Sequence, residues 1–182
     1  PADHPQISQL AVEDLDNDMI PEAVIASYDG HVLCVEGNDG SLQWHRNLDF
    51  KINNPRLELK QITDDPGLEL ALTVSNRVSW SYLGGSGRIN NIRDPSVLVL
   101  RSDGARAWIA SRYDERNRGG HNTWAEDVNA DGFSEVFAIG DQKLVGFDTS
   151  GAQKFTLPVR NGDHPDALTV GPWAGPTSQI LH

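Results

Sequence analysis

The sequence has little of what several common protein classes need. Its 182 residues include one cysteine, Cys34, so no disulfide bond can form within the chain. Lysine and arginine number 15 against 26 acidic residues, and the net charge of −11 argues against nucleic acid or an anionic membrane as a partner. No apolar run approaches the ~20 residues of a membrane-spanning helix, and no charged-then-apolar leader opens the chain. We therefore expect no membrane insertion, and the chain fits a mature or excised segment.

The chain also lacks the short motifs of several enzyme classes. It has no glycine-rich phosphate loop, no zinc-type cluster of cysteine and histidine, and no serine-nucleophile elbow. No segment shows sustained helical periodicity, and short apolar runs alternate with turns instead. With 38% hydrophobic and 23% charged residues, the composition is that of an ordinary globular domain. The sequence predicts a folded, all-β protein.

Two stretches share one spacing of oxygen-bearing side chains, at positions one, three, five and nine. They span residues 14–22 and 127–135, and each runs into an apolar segment that predicts a strand. Alternating oxygens and a tight turn suit Ca²⁺, which takes about 6–8 oxygen ligands. Position six is Gly132 in one loop and Met19 in the other. The alternative is a pair of solvated acidic turns.

Calcium is the predicted cofactor, with a structural role. The predicted ligands are the side chains at positions one, three, five and nine and the backbone carbonyl at position seven. In the first site they are Asp14, Asp16, Asp18, Ile20 and Glu22, and in the second Asp127, Asn129, Asp131, Phe133 and Glu135.

A divergent copy of the acidic loop lies at residues 62–69, ahead of the apolar run 70–74. Its spacing is interpreted as collapsed, so no metal is predicted there. The same part of the chain carries an insertion, roughly residues 80–94, that is rich in glycine and asparagine. An insertion of that kind predicts a surface loop.

A hairpin pattern recurs along the chain, and it ends in an aromatic residue. In three copies a turn glycine is followed four residues later by a large aromatic side chain. Because these aromatics repeat with the unit, we interpret them as packing residues rather than sugar platforms. The turn glycines are Gly40, Gly104 and Gly151, and the aromatics are Trp44, Trp108 and Phe155.

These units predict a β-propeller of about three and a half four-stranded repeats, because repeats of about 40–50 residues with four short strands are typical of propeller blades. The predicted repeats span approximately 7–50, 56–112, 119–159 and an incomplete 163–182, all within one segment, 1–182. A closed ring typically needs 4–8 blades. The chain is therefore part of a larger ring, which we favour, or completes its ring with a second chain.

The loop at 127–135, followed by a strand, resembles the calcium loop of the FG-GAP/VCBS repeats of integrin-type and bacterial extracellular propellers. The turn and aromatic at 39–44 are also similar to the blade ending of quinoprotein-like propellers. A narrower resemblance is to the rhamnogalacturonan lyases of polysaccharide lyase family 11. Residues 120–127 and 162–170 resemble successive blade entries of those enzymes, and 65–69 resembles a degenerate loop form of that family. A complete lyase of that family is much longer than this chain.

His121 and His164 occupy matching places one blade apart and are the candidate catalytic residues, as an acid–base group or as ligands of metal or sugar. The alternative is that each is a turn histidine bonded to backbone. An eliminase also needs a group that neutralises a uronate carboxylate. Arg112 and Tyr113, shortly before His121, are candidates for substrate binding, although a solvated charged turn is the alternative there.

Trp80 and Tyr82, inside the insertion, are candidate substrate-binding residues that would stack on sugar rings. The sequence thus predicts a calcium-stabilised propeller handling polysaccharide, part of a rhamnogalacturonan-lyase-like eliminase. A non-catalytic adhesion or protein-binding propeller and a quinoprotein-like scaffold remain open. The expected partners are a polysaccharide or a cell-surface protein, and the expected location is extracellular or periplasmic because weak calcium loops suit that setting.

Overall fold

A computed structural model describes residues 7–48, 51–52, 57–83, 87–111, 122–139 and 143–158, with side chains omitted at 8, 51, 75–83, 87–95, 111 and 122. Every regular element in these ranges is a β-strand, which confirms the all-β prediction there. The same ranges contain no helix long and apolar enough to cross a membrane. The strands are β1 (Ile7–Glu13), β2 (Glu22–Ser27), β3 (His31–Val35), β4 (Leu42–Asn47), β5 (Lys51–Ile52), β6 (Glu58–Lys60), β7 (Glu69–Leu83), β8 (Gly87–Leu100), β9 (Arg106–Ser111), β10 (Asn122–Glu126), β11 (Glu135–Ile139), β12 (Lys143–Phe147) and β13 (Gln153–Pro158).

The strands form three antiparallel sheets in which neighbours along the chain are mostly neighbours in space. Sheet I has the order β1-β2-β3-β4, and sheet III has the order β10-β11-β12-β13. Sheet II has the order β5-β7-β8-β9, and β6 pairs with β7 alongside β5. Short turns join most of these strands, as expected for antiparallel pairs.

The strands β2 and β3 bury alternate side chains, as expected for strands with one face on a core. In β3, Val32 and Cys34 are fully buried while the residues between them are partly exposed. The only cysteine of the sequence is thus part of the core. Burial raises the pKa of the Cys34 thiol to about 12, so the thiol stays neutral.

The three sheets pack face to face around two apolar cores. We call the face that carries the aromatic of a sheet's last strand its forward face, and the opposite face its rear face. The forward face of sheet I packs on the rear face of sheet II, and the forward face of sheet II on the rear face of sheet III. The first core includes Val24, Val32, Cys34, Trp44, Leu70, Leu72, Leu98 and Leu100, and the second includes Ala71, Val97, Val99, Ala125, Val136, Ala138 and Val145.

The predicted surface loop at 80–94 is wrong. The strands β7 and β8 instead continue as one long hairpin, paired from Leu70 opposite Leu100 to Leu83 opposite Gly87. The segment 78–82 alternates branched or aromatic residues with serine, a pattern that favours a strand over a loop. The glycines that follow this segment predict a loop, but the strand pattern determines the structure here.

Candidate metal centre

Three loops share a nine-residue frame that ends in a glutamate at the start of a strand, β2, β7 or β11. In each, the backbone N–H of position two donates to Oε2 of the position-nine glutamate. The donor–acceptor distances are 2.6 Å for Leu15 and Glu22, 2.7 Å for Ile62 and Glu69, and 3.2 Å for Val128 and Glu135. The middle loop, residues 61–69, therefore keeps the spacing that its sequence had suggested was collapsed.

The first loop gathers three carboxylates. One oxygen from each of Asp14, Asp16 and Asp18 lies within 4.8 Å of the others. The backbone wraps around them: the N–H of Asp18 donates to Oδ1 of Asp14 at 3.1 Å, and that of Met19 donates to Oδ2 of Asp14 at 2.9 Å. Carboxylates this close repel one another. In the described ranges, no lysine or arginine forms an ion pair with any of the three.

Glu22 closes the first loop and is fully buried. Its Oε2 accepts the Leu15 N–H, but its Oε1 is buried with no hydrogen-bond partner among the described residues. Burial raises the pKa of Glu22 against the opposing effect of the Leu15 N–H, and the charge of Asp16 raises it further. A buried oxygen left without a partner costs about 1–3 kcal/mol. The orphaned oxygen fits a bound cation at this site.

The third loop, residues 127–135, repeats this backbone pattern. The N–H groups of Asp131 and Gly132 donate to the two oxygens of Asp127, at 3.2 and 2.9 Å. The side-chain amide of Asn129 donates to Oδ2 of Asp131 at 3.0 Å and to Oε1 of Glu135 at 2.7 Å. Burial raises the pKa of Glu135 as well. Apart from the amide nitrogen of Asn129, the polar side-chain atoms at positions one, three, five and nine are all oxygens. Oxygens are the ligands that a hard cation takes.

Position seven carries the two predicted carbonyl ligands. The N–H of Ile20 donates to Oδ1 of Asp18 at 2.7 Å, and that of Phe133 donates to Oδ1 of Asp131 at 2.9 Å. Position seven is thus tied to the position-five carboxylate in the same way in both loops. That the two carbonyls bind calcium stays a prediction.

Position six has a left-handed backbone in both acidic loops. The φ angle is 96° at Gly132 and 74° at Met19. Glycine adopts this conformation freely, whereas a side chain crowds the backbone there. Met19 is 89% exposed, so packing of its side chain does not offset the strain. The first loop therefore has backbone strain at position six, which the third loop avoids because it has glycine there.

The middle loop has the same nine-residue frame, but neutral and cationic side chains make contacts within it. Gln61 stands at position one, and its amide donates to the carbonyls of Thr63 at 2.7 Å and Asp65 at 2.9 Å. The Thr63 hydroxyl donates to Oε1 of Glu69 at 2.7 Å, and Arg101 Nε donates to Oδ2 of Asp65 at 2.5 Å. The loop thus satisfies its glutamate and places a positive charge on its position-five carboxylate from within the chain.

Backbone hydrogen bonds join the three loops in series. The N–H of Leu68 donates to the carbonyl of Leu15 at 2.8 Å, and that of Ser134 donates to the carbonyl of Gln61 at 2.6 Å. In both cases position eight of one loop bonds position one or two of the preceding loop. These bonds hold neighbouring loops side by side.

A cleft of about 420 Å³ opens between sheets II and III beside the middle and third loops. The ion pair of Arg101 with Asp65 lines it, together with aromatic and hydroxyl side chains. The buried indole N–H of Trp108 has no hydrogen-bond partner within the described ranges. The lining residues are Thr63, Asp64, Asp65, Arg101, Ala107, Trp108, Phe133, Thr149 and Ser150.

The remaining sequence-predicted site residues are not placed in this site. His121, His164, Arg112 and Tyr113 lie outside the described residues. The backbones of Trp80 and Tyr82 lie in β7, opposite Asn90 and Arg88, and their side chains are not described. The candidate catalytic and substrate-binding roles of all six stay predictions.

Gln61 and Arg101 are not among the site residues predicted from the sequence. Gln61 could have been found, because it stands eight residues before Glu69, as Asp14 stands before Glu22. Arg101 gives no such signal, because it follows β8 and reaches Asp65 only through the pairing of β7 with β8.

Comparison with known proteins gives no assignment. No protein-family model matches the chain, and no curated protein matches it. Among solved structures, the chain is similar to the V. cholerae biofilm matrix protein Bap1 at 14% identity, covering 81% of this chain and 28% of that chain, with a TM-score of 0.35. The chain thus spans little more than a quarter of that protein, and a similarity this low supports no statement about fold or function.

Proposed function

We propose that this chain is a calcium-stabilised segment of an extracellular β-propeller that handles polysaccharide. The observation that carries the calcium assignment is in the first loop. Three carboxylates converge there beside a fully buried Glu22 whose Oε1 has no hydrogen-bond partner among the described residues. Hard oxygen ligands of this kind are those that Ca²⁺ prefers.

The role of the ion would be to convert repulsion into a crosslink. Asp14, Asp16 and Asp18 lie in the loop, whereas Glu22 begins β2. A cation bound between them would neutralise the loop and tie it to the strand, so binding energy becomes folding energy. The third loop would use Asp127, Asn129, Asp131 and Glu135 in the same way.

The calcium role is tested by thermal unfolding of the calcium-loaded chain with and without a chelator. We expect the chelator to lower Tm by several degrees, because each lost kcal/mol shifts Tm by roughly 2–8 °C. Excess magnesium should restore little, because Mg²⁺ demands a smaller octahedral site. An unchanged Tm would refute a structural calcium and favour the quinoprotein-like scaffold.

The propeller arrangement is supported by the repetition of one sheet–sheet contact. Sheet I meets sheet II and sheet II meets sheet III through the same faces, with an aromatic residue on a turn glycine each time. Successive blades of a propeller repeat a common unit in this way. Small-angle scattering of the assembled protein would separate a ring with a central channel from an open stack.

Polysaccharide handling is supported by the cleft beside the third loop. Phe133 offers aromatic surface, and Asp64, Thr63 and Ser150 offer groups that bond hydroxyls. Sugars are bound by this combination of an aromatic face and placed polar groups. Phe133 also stands at position seven of the third loop, so a calcium ion there would fix one wall of the cleft.

Absorbance of unsaturated uronate on pectic polysaccharides, with calcium present, tests the lyase proposal. A rise that is lost on His121→Ala or His164→Ala would place the eliminase site on those histidines. No rise, with sugar binding retained and lost on Phe133→Ala, would leave a binding module. Binding to a cell-surface protein without turnover would favour the adhesion propeller.

A further inference from the structure

A pair of histidine side chains lies on sheet I, at the end of the sheet opposite the first acidic loop. Nδ1 of His31 and Nε2 of His45 are 2.8 Å apart, and the centroids of the two rings are 5.0 Å apart. The loop precedes Glu22 at the start of β2, whereas His31 follows the turn after the end of β2. The pair is therefore separate from the residues assigned to calcium.

The pairing of β3 with β4 places both histidines on the rear face of sheet I. His45 lies opposite Leu33, and His31 stands two residues before Leu33, so the two histidines are diagonal neighbours on one face. Val32 and Cys34, which alternate with them on β3, belong to the first core on the other face. The His45 ring is exposed and the His31 side chain is 34% exposed, so both rings have room to rotate.

Asp29 orients the His31 ring. Its Oδ2 lies 3.9 Å from Nε2 of His31, and its Oδ1 accepts a hydrogen bond from the Ser27 hydroxyl. The carboxylate favours a proton on Nε2 of His31, which leaves the Nδ1 lone pair to accept the Nε2–H of His45. A carboxylate that fixes the tautomer of an imidazole in this way is the usual outer partner of a metal-binding histidine.

The arginine next to His45 points away from the pair. The Arg46 guanidinium donates to the carbonyls of Gly104 and Asp103, at 2.9 and 3.1 Å, on the forward face of the sheet. The charge that the structure places beside the two rings is the negative charge of Asp29. A negative charge at this distance favours a bound cation.

We propose that His31 and His45 bind a divalent transition-metal ion that prefers imidazole nitrogen, such as Zn²⁺ or Cu²⁺, through Nδ1 of His31 and Nε2 of His45. With metal–nitrogen bonds of about 2.0–2.1 Å, two neighbouring imidazole nitrogens on one ion lie about 2.9–3.4 Å apart. The two rings start at 2.8 Å, so a small rotation of each is enough. The ion takes one lone pair from each nitrogen, and the Nε2 proton of His45 moves to its Nδ1 through solvent.

This site differs in its chemistry from the acidic loops. Imidazole suits zinc, copper and nickel, whereas Ca²⁺ takes oxygen ligands. Excess calcium should therefore occupy the acidic loops and leave the histidine pair to the transition metal. Cu²⁺ should bind more tightly than Zn²⁺, as the general order of affinities requires. The two histidines leave the other positions on the ion to water or to an external ligand.

Titration of the full chain with Zn²⁺ in excess calcium, followed by NMR of the histidine rings, tests this proposal. We expect the ring resonances of His31 and His45 to shift together, with one common dissociation constant. His45→Ala should weaken the zinc binding that His31 reports on the order of tenfold or more, and His31→Ala should do the same at His45. An equal Tm of the variants without zinc would show that they are folded.

His4→Ala is the matched control, because it removes an imidazole that lies outside the described residues. It should leave the zinc binding of His31 and His45 unchanged. Ring resonances of His31 and His45 that do not move with zinc would overturn the proposal. Zinc binding at His31 that survives His45→Ala at full strength would overturn it too, because the two rings would then not share one ion.

The positioning role of Asp29 has its own test. Asp29→Asn should weaken zinc binding about tenfold, as the loss of an outer carboxylate does. In the metal-free variant, the ¹⁵N shifts of the His31 ring should also show less of the tautomer protonated at Nε2, which a purely structural role of Asp29 would not alter. An unchanged affinity with an unchanged tautomer would overturn the role of Asp29.

Discussion

The first and middle loops have the same nine-residue frame and the same glutamate bond to position two, yet they balance their charge in opposite ways. The first loop gathers three aspartates, and it ends in the buried Glu22, one oxygen of which has no hydrogen-bond partner among the described residues. In the middle loop, the Thr63 hydroxyl donates a hydrogen bond to Glu69, and Arg101 forms an ion pair with Asp65 at position five. The middle loop thus has the positive charge of Arg101 beside its carboxylate, whereas among the described residues the first loop has no such charge.

The difference indicates that the backbone frame does not by itself need a metal. The bond from position two to the glutamate is present in both loops and fixes where the loop meets the strand. What differs is the source of the remaining donors and of the positive charge. We infer that calcium substitutes in the first loop for what Thr63 and Arg101 supply in the middle one.

The largest expected effect comes from removing the glutamate of each loop. Glu69→Ala should lower the free energy of unfolding by about 3 kcal/mol or more, because it orphans the N–H groups of Ile62 and Thr63. The loss should be equal with calcium and with chelator. Glu22→Ala should cost a similar amount in calcium and much less in chelator. Urea unfolding of both variants in both buffers provides the measurement, and equal calcium dependence of the two would remove the distinction between the loops.

Neutralising one aspartate of the first loop should have opposite effects in the two buffers. Asp16→Asn relieves repulsion in the metal-free loop, so Tm in chelator should rise slightly. The same change removes a charged ligand, so calcium affinity should fall on the order of tenfold or more. Thermal melts across a calcium titration show both effects. A parallel loss of stability in both buffers would mean that Asp16 is a structural residue and not a ligand.

Removing Arg101 should leave the position-five carboxylate of the middle loop without its ion pair, as in the first loop. Arg101→Gln should cost about 1 kcal/mol at most, because both partners of its ion pair with Asp65 are about 40% exposed and screened by water. Lys60→Gln is the matched control, because the more exposed pair of Lys60 and Glu126, at 3.6 Å, should contribute close to nothing. Equal stability of the two variants would show that Arg101 is not the internal cation of the loop.

The pH dependence of the metal-free chain should follow the raised pKa of Glu22. Burial holds that pKa above its ordinary value of 4.5, so the folded state binds a proton more tightly than the unfolded state. This contribution is fully present below about pH 4.5 and is lost as pH rises through the raised pKa. In chelator, unfolding free energy should therefore fall with rising pH across this window. Burial raises the pKa of Glu135 too, so Glu22→Gln should reduce the trend and Glu22→Gln/Glu135→Gln should flatten it. A trend unaltered by Glu22→Gln would assign it to other groups.

The smallest effect concerns the turn of the first loop. Met19→Gly should stabilise the chain by about 0.5 kcal/mol, because glycine accepts the left-handed φ of 74° without strain while losing more backbone entropy. The reverse change in the third loop, Gly132→Met, should destabilise it. Denaturant midpoints of the two variants, moving in the same direction, would contradict the matched geometry of the two turns.

The sequence predicts those parts of the fold that depend on local pattern. Alternating apolar residues and the turn glycines predict the strands and hairpins. The spacing of Asp14, Asp16 and Asp18 predicts a loop whose carboxylates converge, as the structure shows. The long hairpin of β7 and β8 was misread because glycines near its tip outweighed the strand pattern before them. The role of Arg101 depends on strand register, which brings it to Asp65 from 36 positions away.

Calorimetric titration of the metal-free chain with calcium tests the central claim most directly. We predict two calcium ions per chain, one in the first loop and one in the third, falling to one in Asp16→Asn/Asp18→Asn and remaining two in Glu69→Ala. No binding would contradict the account of the first and third loops. Three ions per chain would contradict the claim that Gln61, Thr63 and Arg101 make the middle loop independent of metal.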